Sequence, residues 1–321
     1  MAVPSESAAW RVLVTGGAGF IGSRLVKRLA EGWPNAKITV IDDFRSGDFK
    51  NLSGFTGDLV AGDVSRMNLK SRFAPKAFDA IFHLASITDT TVSDQLVMCH
   101  DNIEGHRNVL EYAKEGQIPV TYASSASTYG VDGEEGRANV ETDPREPANV
   151  YGYSKTQLEN LTQVVLENPD NTGWKINGVR YFNVYGPFEQ HKGKMASMVY
   201  QLYLQMKQGK RPRVFEHGEQ MRDFVHVDDA VEGTIRAMGS GTRGIFNLGC
   251  GVPFSFNQLI AELNKALGTS LEPEYFPNPY SFAQAYTCAD LTRSRENIGY
   301  EPAYPPEAGI AAYVKWLEER Q

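Results

Sequence analysis

The sequence has few cysteines and no long apolar run. Only three of its 321 residues are cysteine, and their scattered positions fit neither a disulfide framework nor a zinc-ligand spacing. No segment approaches the ~18 apolar residues of a membrane span, and the first residues, MAVPSESAAW, lack a basic stretch followed by an apolar one. We therefore expect a cytoplasmic protein with reduced cysteines and no membrane partner.

Excess positive charge is also missing. The sequence has 39 Asp and Glu against 32 Lys and Arg, a net charge of −7, which argues against a protein that wraps nucleic acid. Hydrophobic residues make up 41% and charged residues 22%, close to globular averages, so disorder, collagen and coiled coil are excluded. Sugars and nucleotides remain possible ligands. The length of the chain suggests one large domain or two joined ones.

The first half of the chain alternates short β-branched runs with longer amphipathic stretches. In order, examples are RVLVT, FIGSRLVKRLAEG, KITVID, DAIFHLA, EGHRNVLEYAKEG and PVTYASS. This alternation predicts an α/β fold, a Rossmann-type doubly wound parallel sheet with helices on both faces. Beyond about residue 183 prolines and glycines cluster and the pattern loosens. We expect a dinucleotide-binding domain over 1–182 and a smaller substrate-binding lobe over 183–321, with some strands returning to the first domain.

A glycine-rich loop follows the first predicted strand. Gly16, Gly19 and Gly22 have the spacing G-x-x-G-x-x-G, and a helical pattern begins at once. Glycines permit a tight turn and a close approach of the backbone to a pyrophosphate, which lies on the positive end of the helix. The second predicted strand ends at Asp42, 20 residues after Gly22, where a carboxylate meets the ribose of a dinucleotide.

The residues after the second strand leave the choice between NAD and NADP open. Asp42 and Asp43 would accept the ribose 2′-hydroxyl of NAD and repel the extra phosphate of NADP. Arg45 acts in the opposite sense, because a guanidinium can hold that phosphate and cover the adenine. Asp63, after the third predicted strand, either accepts a hydrogen bond from the adenine amino group or caps a loop.

Three residues further along form a candidate catalytic group. Tyr151 and Lys155 have the spacing Y-x-x-x-K, so on a helix they share a face, and Ser125 ends the strand pattern YASS. The lysine charge is expected to lower the pKa of the phenol from ~10 toward neutrality, while the serine holds a substrate oxygen. Such a trio oxidises an alcohol. The histidine spacings do not suggest a metal site, and the chemistry needs no metal.

These motifs resemble those of the extended short-chain dehydrogenase/reductase superfamily, the NAD(P)-dependent nucleotide-sugar epimerases and dehydratases. The resemblance covers nearly the whole chain. Within that superfamily, five segments are similar to the ADP-L-glycero-D-manno-heptose 6-epimerase family: RYFNVYGP, HKGKMAS, FEHGEQMRDFVHVDD, GIFNLG and QAYTCADLT. The resemblance implies a homo-oligomer with one tightly bound NADP or NAD per subunit, which inverts C6 of an ADP-heptose through a 6-keto sugar and supplies heptose for the lipopolysaccharide core.

The same resemblance implies roles for single residues. Tyr151 and Lys192 would be the two acid/base groups, and Lys155 would bind the cofactor and steady the tyrosine. Ser125 would complete the hydroxyl pair. Those implied to line the dinucleotide are Phe20, Ile21, Asp42, Asp43, Asn102 and Val184. Those implied to hold the ADP-sugar are Asn183, Phe215, Glu216, His217, Gly218 and Arg222, of which the arginine pairs with the pyrophosphate.

Four positions, at three places in the chain, depart from the family pattern. Lys194 replaces a serine of HKGSMAS, and it either contacts the pyrophosphate or is solvated. Gln201 stands where the family has a substrate histidine, and Phe282-Ala283 replace an arginine-tyrosine pair. Because these positions read the sugar and the phosphates, the substrate is less firmly indicated than the chemistry.

Other functions remain open. A UDP-hexose 4-epimerase, or another nucleotide-sugar epimerase or dehydratase, would share these motifs apart from the HKG segment that contains Lys192. Lys192 itself could instead be a loop lysine that screens phosphate charge. A 4,6-dehydratase is disfavoured because Ala126 and Ser127 stand where it places an acidic pair. A non-catalytic dinucleotide sensor would tolerate loss of the serine, the tyrosine or the first lysine, yet all three are present.

Overall fold

The computed structural model describes residues 4–92, 94–131, 135–277 and 285–320, so that the Phe282-Ala283 departure lies outside the described residues. The strands are β1 Arg11–Thr15, β2 Lys37–Asp42, β3 Asp58–Ala61, β4 Ala80–His83, β5 Val120–Ser125, β6 Ile176–Tyr181, β7 Asn183–Tyr185, β8 Arg213–Phe215, β9 Met221–His226, β10 Gly244–Leu248, β11 Pro253–Ser255 and β12 Glu274–Phe276. The α-helices are α1 Phe20–Gly32, α2 Leu69–Arg72, α3 Gln95–Cys99, α4 Gly105–Lys114, α5 Val150–Glu167, α6 Met198–Lys207, α7 Val227–Gly239, α8 Phe256–Leu267, α9 Thr292–Ile298 and α10 Pro306–Glu318.

Seven parallel strands form the central sheet, in the order β10-β6-β5-β4-β1-β2-β3. Apolar residues of α4 and α5 pack on one face, and those of α1 and α7 pack on the other. Every residue of β4 and β6 is consequently buried, as expected for a sheet covered on both faces. The predicted doubly wound α/β fold is confirmed.

The second half of the chain builds smaller sheets. Strands β7, β9 and β11 form a three-stranded sheet, and β8 pairs with β12. The carboxylate of buried Asp223 on β9 accepts hydrogen bonds from the backbone N–H groups of Cys250, Gly251 and Ala289 at 2.5–2.9 Å. This residue joins three chain segments of the lobe. The predicted boundary at residues 182 and 183 stays a prediction.

The helix before β5 contains an irregular segment. Helices α3 and α4 are joined without interruption by a π-helical segment, His100–Glu104, and such segments often occur at functional sites because the extra residue redirects side chains. Across the described part of the chain, no helix is both long and apolar enough to cross a membrane.

Candidate active site

The glycine-rich loop brings backbone very close to backbone. Gly16 has φ +73°, and a Cβ there would lie 2.6 Å from the backbone nitrogen of Ala85. A Cβ at Gly22 would lie 2.0 Å from the carbonyl oxygen of Gly16. Gly19 begins the 13-residue helix α1 with no side-chain cap among the described residues. The first N–H groups of α1 are therefore left for an anion, which the positive end of the helix attracts.

A cavity of about 710 Å³ runs from this loop along the carboxyl ends of the sheet strands, the usual ligand position in such folds. The predicted site residues that line it are Gly16, Gly19, Phe20, Ile21, Gly22, Asp42, Asp43, Arg45, Asp63, Asn102, Ser125, Tyr151, Lys155, Val184 and Lys192. Every residue predicted for catalysis or for the cofactor therefore meets at one cavity.

Asp42 ends β2 as a buried carboxylate that organises the loop. Its Oδ2 accepts a hydrogen bond from the backbone N–H of Ala18 at 2.8 Å, and its Oδ1 accepts one from Phe44 at 2.9 Å. Burial raises its pKa, against the lowering effect of these two bonds. Asp42 thus holds the glycine-rich loop against the strand, a role that the sequence did not reveal.

Arg45 lies among three carboxylates. Its guanidinium pairs with Asp43 at 2.7 Å, with Asp63 at 2.9 Å and with Asp101. The hydrogen bond to Asp101 is the main cause of the raised pKa of Arg45. A guanidinium paired in this way is poorly available to a 2′-phosphate, so the arrangement favours the unphosphorylated ribose of NAD. Asp63 also accepts hydrogen bonds from Ser65, so it does cap its loop.

Asn102, in the π-helical segment, links the loop after β4 to α5. Its Oδ1 accepts a hydrogen bond from the backbone N–H of Ile87 at 2.7 Å, and its Nδ2 donates to Ser154 Oγ at 2.9 Å. The loop it holds contributes cavity-lining residues that the sequence analysis missed: Ser86, Ile87, Thr88, Asp89 and Val92. Their position after a central parallel strand is the signal that would have found them.

Tyr151 and Lys155 share one face of α5, as their spacing predicts, and Ser125 lines the same cavity. Asn149 caps α5 by accepting a hydrogen bond from the N–H of Gly152 at 2.8 Å, which starts the helix just before the tyrosine. The ammonium of buried Lys155 donates to the carbonyl of Ala123 at 2.9 Å and lies 5.7 Å from the centroid of the Tyr151 ring.

The protonation of this group differs from the prediction. Burial raises the pKa of Tyr151, and a hydrogen bond with Ser125 opposes that rise. Burial also lowers the pKa of Lys155 to about 7. The prediction that the lysine brings the phenol pKa toward neutrality is therefore wrong for this structure, because desolvation of the buried phenol outweighs the opposing effect of Ser125.

Lys192 reaches the same cavity from the second half of the chain. It lies in a 3₁₀ segment, Gln190–Met195, and its Nζ is 5.5 Å from the centroid of the Phe20 ring in the glycine-rich loop. Burial lowers its pKa, while Glu189 acts in the opposite direction. His191 and Met195 also line the cavity. The sequence analysis gave them no role because neither shows a diagnostic spacing.

The backbone around Lys192 is held by the carboxylate of Glu189. This buried carboxylate accepts hydrogen bonds from the N–H of Gly186 at 3.0 Å and from the N–H and hydroxyl of Ser197 at 2.5 and 2.8 Å. It therefore ties together the two ends of the segment that carries the lysine.

Apart from Ser125, the residues predicted to hold the nucleotide sugar are not among those lining this cavity; they are Asn183, Lys194, Gln201, Phe215, Glu216, His217, Gly218 and Arg222. Gln201 donates its amide hydrogens to the carbonyls of Lys194 and Ala196 at 3.1 and 2.7 Å, which holds that loop. Arg222 donates to the carbonyl of Met221 at 2.8 Å, and burial lowers its pKa to about 10. Lys194 is exposed. Their substrate roles stay predictions.

The fold and this cavity are those of an NAD-dependent enzyme acting on nucleotide sugars. A family model described as the NAD dependent epimerase/dehydratase family matches residues 12–249, and the chain belongs to that family. The predicted superfamily and the dependence on a nicotinamide dinucleotide are thereby confirmed.

Among solved structures, the chain is similar to several nucleotide-sugar epimerases. The chain is 37% identical to ADP-L-glycero-D-manno-heptose-6-epimerase of Helicobacter pylori over 98% of both chains, with a TM-score of 0.89. It is 30% identical to UDP-glucose 4-epimerase of Thermotoga maritima, covering 96% of this chain and 99% of that one, with a TM-score of 0.88. It is 26% identical to the NAD complex of UDP-glucose 4-epimerase from Thermus thermophilus, covering 97% and 100%, with a TM-score of 0.84.

Proposed function

We propose that this protein interconverts ADP-D-glycero-D-manno-heptose and ADP-L-glycero-D-manno-heptose at C6, for lipopolysaccharide core synthesis. One observation carries the proposal: Tyr151 and Lys192, from the two halves of the chain, line the same cavity. Inversion at an unactivated alcohol carbon needs a hydride to leave one face of the carbon and return to the other, while the oxygen loses a proton and then regains one. Two acid/base groups at one cavity can serve these two proton transfers. The similarity to the Helicobacter pylori enzyme indicates which nucleotide sugar is converted.

The residues present fit NAD. The N-terminus of α1 and the glycine backbone would hold the pyrophosphate, and Asp42 with Asp43 would face the adenosine ribose. Lys155 would contact the cofactor beside Tyr151. When bound, NAD supplies a hydride acceptor that later returns the hydride to the sugar.

Oxidation of the sugar is assigned to the first half of the chain. Ser125 holds the C6 hydroxyl, and Tyr151 as phenolate removes its proton while the C6 hydride leaves, which gives a 6-keto sugar. The Lys155 ammonium, 5.7 Å from the phenol ring, stabilises the phenolate that the buried site disfavours.

Reduction on the other face is assigned to the second half. With the ketone turned to its opposite face, Lys192 would donate a proton to the new alkoxide when bound NAD supplies the hydride. The lowered pKa of this buried lysine makes it a stronger acid than a solvated one. No net oxidation results, so the cofactor is used again in each cycle.

The proposal is tested by proton NMR of the purified protein with ADP-D-glycero-D-manno-heptose. We expect the C6 configuration to equilibrate without added cofactor, and acid extraction of the protein to release NAD. Incubation with UDP-glucose in the same assay tests the second candidate, a UDP-hexose 4-epimerase, which the 30% identity to the Thermotoga enzyme favours. Turnover of UDP-glucose without change in the heptose would contradict the main proposal.

A homo-oligomer in the cytoplasm is also proposed. Helices α3 and α5 contact each other and expose four large apolar side chains: Leu96, Val97, Tyr153 and Val164. Exposed apolar residues grouped in this way are typical of an interface. Light scattering after size exclusion is expected to give at least twice the 35.6 kDa of one chain, and a monomer at micromolar concentration would contradict it.

A further inference from the structure

One face of α5 lies along the last three residues of β5 and is hydrogen-bonded to two of them. Tyr151, Lys155 and Glu159 are spaced four residues apart and so lie along one side of the helix. Tyr151 lines the same cavity as Ser125, which opposes the rise in the pKa of the phenol, and Lys155 donates to the carbonyl of residue 123 at 2.9 Å. The Ser124 hydroxyl donates to Glu159 Oε1 at 2.6 Å. Of these contacts, the one at Glu159 takes no part in the proposed chemistry.

Glu159 is fixed from the neighbouring strand as well. Arg180 of β6 lies opposite Ser124 in the parallel register. Its Nε donates to Glu159 Oε1 at 2.9 Å, and its Nη2 donates to Oε2 at 2.7 Å. Both side chains are almost fully buried, and Arg145 approaches the same carboxylate at 3.3 Å. Glu159 thus connects one helix to two adjacent strands.

This pair has a geometric effect that differs from its effect on stability. Two parallel N–H···O bonds between planar groups fix both distance and orientation. A buried ion pair, by contrast, is often replaceable by apolar residues of similar volume at little cost in stability, because desolvation offsets the attraction. The Glu159–Arg180 pair therefore suits the control of helix position better than the gain of folding free energy.

We propose that Glu159 is a positioning residue that, through Ser124 and Arg180, fixes α5 along β5 and so sets the distance between the Tyr151 and Ser125 hydroxyls. Both hydroxyls must reach one substrate oxygen, and a misplacement of about 1 Å can cost ~10²-fold in rate. The kinetic consequence rests on the proposed function; the geometric consequence concerns the folded protein alone.

The test uses two variants of the full chain. The triple variant Ser124→Ala/Glu159→Leu/Arg180→Met removes the network without leaving a buried charge, and Ser124→Ala removes one bond. For the triple variant we expect kcat to fall roughly 10- to 100-fold, with KM for the ADP-heptose and Kd for NAD within about twofold of the parent. A crystal structure should show the Tyr151–Ser125 separation increased. Ser124→Ala should give a smaller fall in kcat, again without a change in KM.

Thr162→Val is the matched control. Thr162 is buried on the same helix and bonds His106 Nε2 at 2.8 Å, so it is outside the Ser124–Glu159–Arg180 network. The control should keep kcat, so an equal loss in Thr162→Val and Ser124→Ala would show general loosening of α5 and overturn the proposal. Full kcat in the triple variant, or an unchanged hydroxyl separation, would also overturn it.

Two further outcomes are covered by this design. If the triple variant does not fold, the test rests on Ser124→Ala. An unchanged kcat and an unchanged Tyr151–Ser125 separation in that variant would contradict the proposal. If the parent protein does not epimerise an ADP-heptose, the proposed function fails, while the hydroxyl separation in the variant crystals still tests the positioning role.

Discussion

The two halves of the molecule support the two groups that we propose for proton transfer in different ways. Tyr151 lies in the first turn of an 18-residue helix, capped by Asn149 and bonded to the central sheet. Lys192 lies in a six-residue 3₁₀ segment in which Gly193 leaves the helical conformation at φ +55°. A regular element fixes the first group, and a loop held by the carboxylate of Glu189 fixes the second.

The comparison shows that one side chain of the site is positioned by local sequence and the other by tertiary contacts. The position of Tyr151 follows from helix periodicity and a cap, both of which are encoded within a few residues. The position of Lys192 follows from contacts between Gly186, Glu189 and Ser197, which have no periodic signature. We expect the first half to determine whether the sugar is oxidised and the second to determine on which face it is reduced.

Replacement of the phenol should have the largest effect. Tyr151→Phe removes the base that starts oxidation, and we expect kcat to fall ~10²- to 10⁴-fold, the usual range for a general acid or base. Tyr153→Phe, an exposed position on the same helix, is the control and should be silent. Proton NMR of the heptose C6 signal gives both rates, and equal activity in the two variants would remove the tyrosine from the mechanism.

Replacement of the loop lysine should have the next largest effect. Lys192→Met keeps an unbranched side chain one atom shorter but removes the ammonium proton, and we expect a ~10²- to 10³-fold lower rate of epimerisation. Oxidation at C6, followed by return of the hydride to the original face, should be less affected. The control is Lys194→Met, an exposed lysine two residues away. If Lys192→Met epimerised normally, the second half of the chain would contribute no acid, and the proposed division of the two proton transfers between the halves would be wrong.

Cofactor choice should depend on the first half alone. Because Arg45 is already paired with three carboxylates, we expect NAD to bind cofactor-free protein at least ~10-fold more tightly than NADP, through repulsion of the 2′-phosphate. Asp43→Asn should narrow that ratio severalfold. Calorimetric titration with each dinucleotide measures both, and tighter binding of NADP to the parent protein would contradict this prediction.

The smallest effect concerns pH and stability. Burial lowers the pKa of His83 to about 3 and also lowers that of His106. Below the unfolded pKa of ~6.5 the unfolded chain binds protons that the folded chain refuses, so stability is present above that pH and is lost as the pH falls. In the second half, burial lowers the pKa of His226 to about 4 but raises that of Asp223 to about 6, and these shifts oppose each other.

We therefore expect the free energy of unfolding to fall by about 2–3 kcal/mol between pH 7.5 and 5.5, mainly through the first half. Urea denaturation at the two pH values measures the fall. His106→Gln should reduce it by roughly 1 kcal/mol, and the same fall in the variant would show that the buried histidines are not its cause.

Much of the first half could be predicted from the sequence, because its features are local. The strand and helix alternation, the glycine spacing and the Tyr151–Lys155 pair each lie within a short stretch of chain. The contacts of Asp42, the three partners of Arg45 and the Glu159–Arg180 pair join positions up to 56 residues apart. Only the folded chain brings such partners together, so no pattern in the sequence revealed them.

The protonation of Tyr151 was mispredicted for a related reason. The helical spacing places an ammonium near the phenol, but spacing does not report how much water reaches either group. The second half was predicted in outline only, since its short strands are set by pairing with distant segments, as in β9 with β7 and β11.

The π-helical segment His100–Glu104 makes the end of the cavity near Arg45 sensitive to chain length. Asp101 pairs with Arg45, while Asn102 binds the loop at Ile87, and both orientations depend on the one residue by which this turn exceeds an α-helical turn. Deleting a single residue here would give a more regular helix, yet it would rotate the side chains before the deletion by about 100° relative to those after it. Such a shortened helix would lose either the Asp101–Arg45 contact or the Asn102–Ile87 contact. The π-helical turn therefore lets one helix hold two parts of the cavity wall at the same time.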